Sequence, residues 1–256
     1  MWGSGAGGRS ALPGLRGLCE VWLMALNVSR GNMFPWVTHT WNPRAGVCSH
    51  GCLYCFMLDR PCDKYRGPPR LEKSEMRYPL GRDRVIFVGS ASDLFARDVP
   101  DDVIRAVLER CRMFDGNTYH FQTKNPGRLF DFLDLFPEDA TLGTTIETNR
   151  VIRDVSSAPD PLRRYQALRD LSWPRKMVSV EPVIAFDVDV LAHIVGRIGP
   201  EFVSIGADSK GRLRLHGIEE PGPGDVKMLV RRLRGRVPDI KLKANLDRIL
   251  QAEVTA

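Results

Sequence analysis

The sequence lacks the long apolar run that a membrane-spanning helix requires, which is about 18 residues. The apolar stretch near its start, LCEVWLMAL, is interrupted by Glu20. This acidic residue, together with the lack of a clear small-residue cleavage site, also argues against a signal peptide. We therefore expect a cytoplasmic protein that has no membrane partner.

Cysteine is scarce as well. Six cysteines in 256 residues are too few for the disulfide framework that stabilises small secreted domains. Three of them, Cys48, Cys52 and Cys55, lie within one short loop. A reducing compartment in which these thiolates bind a metal explains this spacing better than disulfides do.

Strong charge of one sign is also missing, since the formal net charge is only +6. Such a charge permits an anionic partner but does not require one. The densest basic stretch extends from Arg231 to Lys243. A solvated helix face is the simpler interpretation of this stretch, and a salt-sensitive nucleic-acid surface is the alternative.

One domain accounts for most of the chain. We interpret residues 1–32, which are rich in Gly, Ser and Arg, as a poorly ordered N-terminal extension, and residues 33–256 as the working domain. The predicted strands lie within residues 35–41, 84–92, 118–124, 140–147, 176–182, 201–208 and 239–244. The predicted helices lie within residues 100–114, 125–136, 161–171, 187–198 and 224–236.

This alternation predicts an α/β fold with parallel strands. Runs such as Val85–Val88 are almost continuously apolar, as expected for strands that helices cover. Repeated β-α units give a right-handed arrangement, either an open doubly wound sheet or a barrel. Seven strands favour a partial or full parallel (β/α) barrel, and no glycine-rich phosphate loop follows the first strand, which argues against a dinucleotide-binding fold.

Charged residues follow five of the predicted strands. They are Asp93, Lys124, Glu147, Glu181 and Asp208. The carboxyl ends of barrel strands meet at one mouth, where such barrels perform their chemistry, so we expect these side chains to line one pocket of mixed charge. Helix capping would explain the aspartates equally well, but it suits lysine and glutamate less. The cysteine loop follows the first strand and therefore lies at the same mouth.

The segment GVCSHGCLYCF places three soft metal ligands, Cys48, Cys52 and Cys55, within eight residues. Structural zinc takes four protein ligands, and here His50 or Cys62 would have to supply the fourth. An iron–sulfur cube held by only three cysteines leaves one iron open for a substrate or cofactor. We favour the cluster because the loop lies at a barrel mouth, and structural zinc is the alternative.

The pattern Cys48-x3-Cys52-x2-Cys55, with Tyr54 before the last cysteine, resembles the cluster loop of the radical S-adenosylmethionine (radical SAM) superfamily. From about Trp36 to about Leu246 the chain resembles a phage- and bacterium-associated radical-SAM-like family of unknown function. The segments that carry this resemblance are THTWNPRAGVCSHGCLYC, VIFVGSASDLFARDVPDDVI, HFQTKNPGRL, LGTTIETN and MVSVEPVIAFDV. CSHGCLYC and the Thr123–Lys124 pair are more distantly similar to the spore photoproduct lyase group.

The resemblance implies a barrel of the radical SAM type and a [4Fe-4S] cluster held by Cys48, Cys52 and Cys55. The open iron would bind S-adenosylmethionine, whose reductive cleavage gives a 5′-deoxyadenosyl radical that abstracts hydrogen from a substrate. It also implies an enzyme served by a reductant such as flavodoxin or ferredoxin. The substrate is not identified, and nucleic acid is one candidate.

The same resemblance assigns residues to S-adenosylmethionine. Ser90, Ser92 and Asp93 stand where the second-strand motif of the superfamily meets the amino group, although the usual Gly-Gly-Glu is absent. Lys124 would pair with the carboxylate of the cofactor, and Glu147 would accept hydrogen bonds from its ribose.

Three further residues complete this interpretation. Tyr54 would pack near the adenine, and Glu181 would face either cofactor or substrate. Cys62 is weighed as a hydrogen-atom donor to a product radical, a role assigned less readily to Cys111 on a helix. The alternative to the whole assignment is a zinc-stabilised nucleic-acid-binding protein without radical chemistry.

Overall fold

The computed structural model describes residues 26–30, 34–60 and 62–252. The strands are β1 (Asn27–Val28), β2 (His39–Trp41), β3 (Arg44–Ala45), β4 (Arg70–Leu71), β5 (Val85–Val88), β6 (Thr118–Thr123), β7 (Thr141–Thr145), β8 (Lys176–Val180), β9 (Phe202–Ile205) and β10 (Asp239–Leu242). The α-helices are α1 (Asp101–Arg112), α2 (Pro161–Asp170), α3 (Val188–Ile198), α4 (Arg212–Leu215), α5 (Pro223–Leu233) and α6 (Asp247–Leu250).

Eight of the strands form one sheet in the order β1-β2-β5-β6-β7-β8-β9-β10. From β2 to β10 every neighbouring pair is parallel, whereas β1 runs antiparallel to β2. The predicted α/β class, with a partial or full parallel barrel, is confirmed. All seven predicted strands are present, as β2 and β5 to β10.

The helices form where the sequence pattern places an apolar stripe. In α1 the residues Ile104, Val107, Leu108 and Cys111 are buried, which is the spacing of one helix face. At the start of α2 the side chain of Asp160 accepts a hydrogen bond from the backbone N of Arg163 at 2.9 Å, which caps the helix.

One predicted helix is wrong. Residues 125–136 contain a 3₁₀ segment over Pro126–Leu135 with a kink at Phe132, not an α-helix. Its apolar residues Leu129 and Phe132 are nonetheless buried. The periodicity of the sequence reflects the burial of these side chains. Two short 3₁₀ turns bury them as well as one α-helix would.

The two faces of the sheet differ in chemistry. The outer face packs against the helices in the main core, which includes Phe121, Leu142, Val178 and Val203. The inner face has its own smaller cluster, in which Phe34 packs with Phe87, Met177 and Phe202. Phe34 precedes β2, so this cluster closes the end of the barrel at which the strands begin.

The N-terminal boundary is described only in part. Asn27 and Val28, which the sequence analysis assigns to the extension, pair with Thr40 and His39 of β2. Residues 1–25 and 31–33 lie outside the described residues. Each helix in the described ranges is too short or too polar to cross a membrane.

Candidate cluster and cofactor site

The cysteine loop leaves the mouth of the barrel through a turn that requires glycine. Gly46 has a φ of +92°, and a Cβ at this position would lie 2.2 Å from the backbone oxygen of Pro68. The buried side chain of Arg44 donates hydrogen bonds to the backbone oxygens of Gly46, at 2.8 Å, and of Val47. It also donates to the Ser92 hydroxyl, so one guanidinium connects the loop to the segment after β5.

A second connection joins His50 to Asp93. Nε2 of His50 lies 2.8 Å from Oδ2 of Asp93, and this oxygen also accepts from the Thr123 hydroxyl at 3.0 Å and the backbone N of Lys124 at 2.8 Å. Burial alone would raise the pKa of Asp93, but these hydrogen bonds, with that of His50 first, lower the pKa overall. Asp93 therefore holds the loop against the ends of β5 and β6 as an anion.

The three thiols of the loop are free in this structure. Cys52 is buried, and its Sγ lies 3.1 Å from the Ser156 hydroxyl. Burial raises the pKa of both Cys48 and Cys55, so these groups are protonated thiols at neutral pH until a metal displaces their protons.

Three thiols in one loop fit a thiophilic iron–sulfur cluster by donor type. In the part of the chain that the structure describes, however, no three His, Cys, Asp or Glu side chains already converge as a metal-binding group. The loop thus supplies the right donors but does not hold them in a preformed site. The two candidates for a fourth zinc ligand, His50 and Cys62, do not complete a zinc site. His50 is bonded to Asp93. Cys62 belongs to no converging group of metal ligands among the described residues.

Glu147 is the centre of a buried charge cluster at the end of β7. Its Oε2 lies 2.9 Å from Nη1 of Arg164, and its Oε1 accepts from Lys124 and from the Tyr54 hydroxyl. Burial by itself would raise the pKa of Glu147, but Arg164 and then Lys124 lower it well below its usual range. Glu147 is therefore ionised at any physiological pH.

Tyr54 and Lys124 contact each other as well as Glu147. The ammonium of Lys124 lies 5.1 Å from the centre of the Tyr54 ring, a distance at which a cation is attracted to an aromatic face. Burial, followed by the charge of Glu147, raises the pKa of Tyr54 far above its ordinary value. The Tyr54 phenol consequently remains a hydrogen-bond donor.

The serines after β5 contact other loops. The Ser90 hydroxyl donates to Oδ1 of Asn42 at 3.3 Å, and Ser92 accepts from Arg44. Asn42 follows β2, so the two serines connect the ends of adjacent strands β2 and β5.

Glu181 lies in a separate polar cluster. It accepts from the Ser204 hydroxyl, and its Oε2 lies 3.0 Å from Nζ of Lys243. Asp208, by contrast, accepts from the backbone N of Lys210 at 2.9 Å and of Leu213 at 2.8 Å. Asp208 therefore has the turn-capping role that was the alternative for the aspartates.

The structure thus brings Tyr54, Lys124 and Glu147 together and places Glu181 in a cluster of its own. Sequence reasoning missed Arg44, Arg164 and Lys243, which neutralise or position the predicted residues. Arg164 is only 4% exposed although it lies on a helix with charged neighbours. Its burial depends on where α2 crosses β7, and the sequence carries no signal for that crossing.

Comparisons with known proteins agree with this architecture. A family model described as "Protein of unknown function (DUF5131)" matches residues 32–198, and no curated protein matches the sequence. A variant of spore photoproduct lyase with bound AdoMet and dinucleoside spore photoproduct has a TM-score of 0.62 at 12% identity, covering 84% of this chain and 78% of that chain. Spore photoproduct lyase complexed with dinucleoside spore photoproduct has a TM-score of 0.59 at 12% identity, covering 84% and 78%. At this identity the likeness shows the fold.

Proposed function

The chain belongs to the DUF5131 family of proteins of unknown function, and we propose that it is a radical SAM enzyme whose substrate is not yet identified. One observation carries the proposal: a loop with three cysteines leaves the mouth of a barrel that resembles spore photoproduct lyase. Cys48, Cys52 and Cys55 would hold a [4Fe-4S] cluster. Such a cluster, bound together with S-adenosylmethionine, supplies the electron that yields a hydrogen-abstracting 5′-deoxyadenosyl radical.

The Glu147 cluster has the charges that S-adenosylmethionine requires. Lys124, whose side chain is 16% exposed, would turn from Glu147 to the carboxylate of the ligand. Glu147 keeps its charge through Arg164 and would accept hydrogen bonds from the ribose hydroxyls. Tyr54, protonated and stacked with Lys124, would pack near the adenine.

The ammonium group of the ligand would approach the segment after β5. Oδ1 of Asp93 accepts one hydrogen bond, from the backbone N of Phe95 at 2.9 Å, and a carboxylate oxygen has capacity for a second. The hydroxyls of Ser90 and Ser92 would complete this contact. We assign Glu181 to the substrate side, because its bonds to Ser204 and Lys243 separate it from the Glu147 cluster.

A reductant such as flavodoxin or ferredoxin would supply the electron. Nucleic acid is our candidate substrate, since spore photoproduct lyase, which this fold resembles, has been solved with a dinucleoside. These partners, like a cytoplasmic location, belong to the proposal.

Electron paramagnetic resonance of the anaerobically reconstituted and reduced protein tests the proposal. We expect a [4Fe-4S]⁺ signal that changes when S-adenosylmethionine is added. The signal should be lost in Cys48→Ala, Cys52→Ala and Cys55→Ala but retained in Cys111→Ala, a matched cysteine in α1 outside the loop. Stoichiometric zinc without any cluster signal would overturn the proposal.

A further inference from the structure

The end of the segment between β7 and α2 has no role in the proposed cofactor site, although it lies against the cysteine loop. The backbone N of Ser157 donates to the backbone oxygen of His50 at 2.7 Å. The backbone N of Leu53 donates to the backbone oxygen of Val155 at 3.0 Å. His50 and Leu53 flank Cys52, so two backbone hydrogen bonds fix the chain on both sides of this cysteine.

Ser156 lies between these two hydrogen bonds, and its side chain contacts Cys52. Oγ of Ser156 lies 3.1 Å from Sγ of Cys52 and 3.1 Å from the backbone oxygen of His50. The same Oγ accepts a hydrogen bond from the backbone N of Ala158 at 3.1 Å. A hydroxyl has a single proton to donate, so this proton goes either to the sulfur of Cys52 or to the oxygen of His50.

The protonation of Cys52 decides between these two acceptors. A thiol can donate its own S–H to Ser156, which leaves the hydroxyl proton for His50. A sulfur that binds a metal has lost its proton and can only accept. The oxygen of His50 keeps its hydrogen bond from Ser157. The hydroxyl of Ser156 can therefore turn to the sulfur without leaving a backbone group unpaired.

The backbone keeps Ser156 beside Cys52 when a cluster binds. A cluster requires the three thiols of the loop to gather, and they do not yet converge as a metal-binding group among the described residues. The hydrogen bonds to Val155 and Ser157 join backbone atoms, so rotation of the Cys52 side chain does not break them. Ser156 is held between these two residues and remains next to the cysteine.

We propose that Ser156 donates a hydrogen bond to the sulfur of Cys52 in the cluster-bound protein and so makes the cluster easier to reduce, an inference that rests on the proposed function. A reductant that converts [4Fe-4S]²⁺ to [4Fe-4S]⁺ supplies one electron, and the ligand sulfurs share the added negative charge. A hydrogen-bond donor to one of them stabilises the more negative state more strongly. The proton stays on the oxygen of Ser156, so only the electron is transferred.

Burial strengthens this hydrogen bond. Cys52 is 8% exposed, and a hydrogen bond is electrostatically stronger in the protein interior than in water. The side chain of Ser156 is itself partly buried, whereas the next residue, Ser157, is exposed. Ser157 contributes its backbone N to the contact with His50, so replacing its side chain provides a matched control.

A redox titration of the anaerobically reconstituted full chain, followed through the electron paramagnetic resonance signal of [4Fe-4S]⁺, tests the inference. Ser156→Ala should lower the equilibrium constant for reduction about tenfold, which is a shift of about 59 mV to more negative potential for one electron. Ser157→Ala should retain the wild-type potential. Both variants should bind as much iron as the wild type, because the backbone hydrogen bonds remain.

A second pair of variants separates the hydroxyl from the space that the side chain fills. Threonine and valine are similar in size, but only threonine has a hydroxyl. Ser156→Thr should have a potential close to that of the wild type, and Ser156→Val should match Ser156→Ala. The same comparison decides the question if Ser156→Ala binds less iron, since both larger variants fill the site. Equal potentials in Ser156→Thr and Ser156→Val would overturn the inference.

The outcomes separate the role of Ser156 from the proposed function. A cluster signal that changes with S-adenosylmethionine, with the same potential in the wild type and Ser156→Ala, overturns the role of Ser156 alone. An equal shift in Ser157→Ala also overturns it, because the effect would then belong to the segment and not to the Ser156 hydroxyl. A wild-type chain with stoichiometric zinc and no cluster signal overturns the proposed function and this inference together.

Discussion

At the scale of single residues, Glu147 is the side chain on which Arg164 and Lys124 depend. Arg164 and Lys124 both lie against it in the protein interior. Glu147→Gln removes the only carboxylate described between them and leaves Arg164 buried without a counter-charge. We expect the free energy of unfolding to fall by about 3–5 kcal/mol, measured by urea denaturation.

The exposed pair Arg150–Asp187 provides the control for Glu147→Gln. Its side chains are 48% and 52% exposed, and such pairs contribute about 0–1 kcal/mol. Asp187→Asn should therefore change the free energy of unfolding only slightly. An equally small change for Glu147→Gln would show that Arg164 does not depend on it.

His120 gives the protein a pH dependence of stability. Burial lowers the pKa of His120 to about 4, whereas an unfolded histidine has a pKa of about 6.5. Between these values the unfolded chain binds a proton that the folded chain does not, so stability falls as the pH falls. The loss between about pH 7.5 and pH 5 should be roughly 2 kcal/mol.

His120→Gln tests this contribution by urea denaturation at the two pH values. His120→Gln should lose this pH dependence of the free energy of unfolding. The control is His193→Gln, at an exposed position of α3, which should retain it. If the free energy of unfolding of His120→Gln still fell with pH as in the wild type, the pH dependence would belong to other groups.

Among the charged residues of the candidate site, those that continue the alternation of a strand could be predicted from the sequence. Three of them come two positions after an inward-facing residue of their strand, so a pattern of period two predicts their direction. They are Lys124, Glu147 and Glu181. Arg44 comes from the short strand β3 and Arg164 from the helix α2. Their approach to the site depends on packing between elements, which local patterns do not encode.

At the scale of elements, Arg44 decides how firmly the cysteine loop is held. Arg44→Lys keeps the charge but loses the fork that reaches Gly46, Val47 and Ser92 together. If the loop binds a cluster, its retention should weaken about tenfold, as for other groups that orient metal ligands. Iron content after a chelator challenge measures this, with exposed Arg60→Lys as the control. Equal iron retention in both variants would show that Arg44 does not hold the loop.

The basic stretch from Arg231 to Lys243 does not form one surface. Arg231, Arg234 and Arg236 are exposed and precede β10, so they lie at the end of the barrel opposite the cysteine loop. Lys243 follows β10 and points inward to Glu181. The charge density along the sequence suggested a single basic patch. Strand β10 lies between the arginines and Lys243, so the basic residues lie at two different ends of the barrel.

At the scale of the whole molecule, the aromatic cluster inside the barrel contributes to stability separately from the main core. Phe34 is 5% exposed and stacks on Trp36 with ring centres 4.6 Å apart. Phe34→Ala should lower the free energy of unfolding by about 3–5 kcal/mol, measured by urea denaturation. Phe130→Ala, at a site that is 41% exposed, should have a much smaller effect. If both variants lost a similarly small amount of unfolding free energy, the barrel interior would tolerate the cavity that Phe34→Ala leaves.

The barrel class could be predicted because each β-α unit carries its own signal of alternating periodicity. The filling of the barrel could not be predicted. Phe34 precedes the strand predicted within residues 35–41 and Trp36 lies inside it, yet neither residue belongs to a strand of the structure. The side chains that fill the inside of such a curved sheet are set by the distance between strands far apart in sequence. A single sequence contains no direct measure of that distance.

The contact between Phe34 and Lys243 has a consequence for synthesis on the ribosome. The ammonium of Lys243 lies 5.0 Å from the centre of the Phe34 ring, although nearly the whole described chain separates the two residues. Translation adds about 5–20 residues per second, so Phe34 emerges many seconds before its partner. Until then its ring and those of Trp36 and Phe87 remain available to chaperones. A ribosome that stalls before β10 would hold a sheet that lacks its last strand.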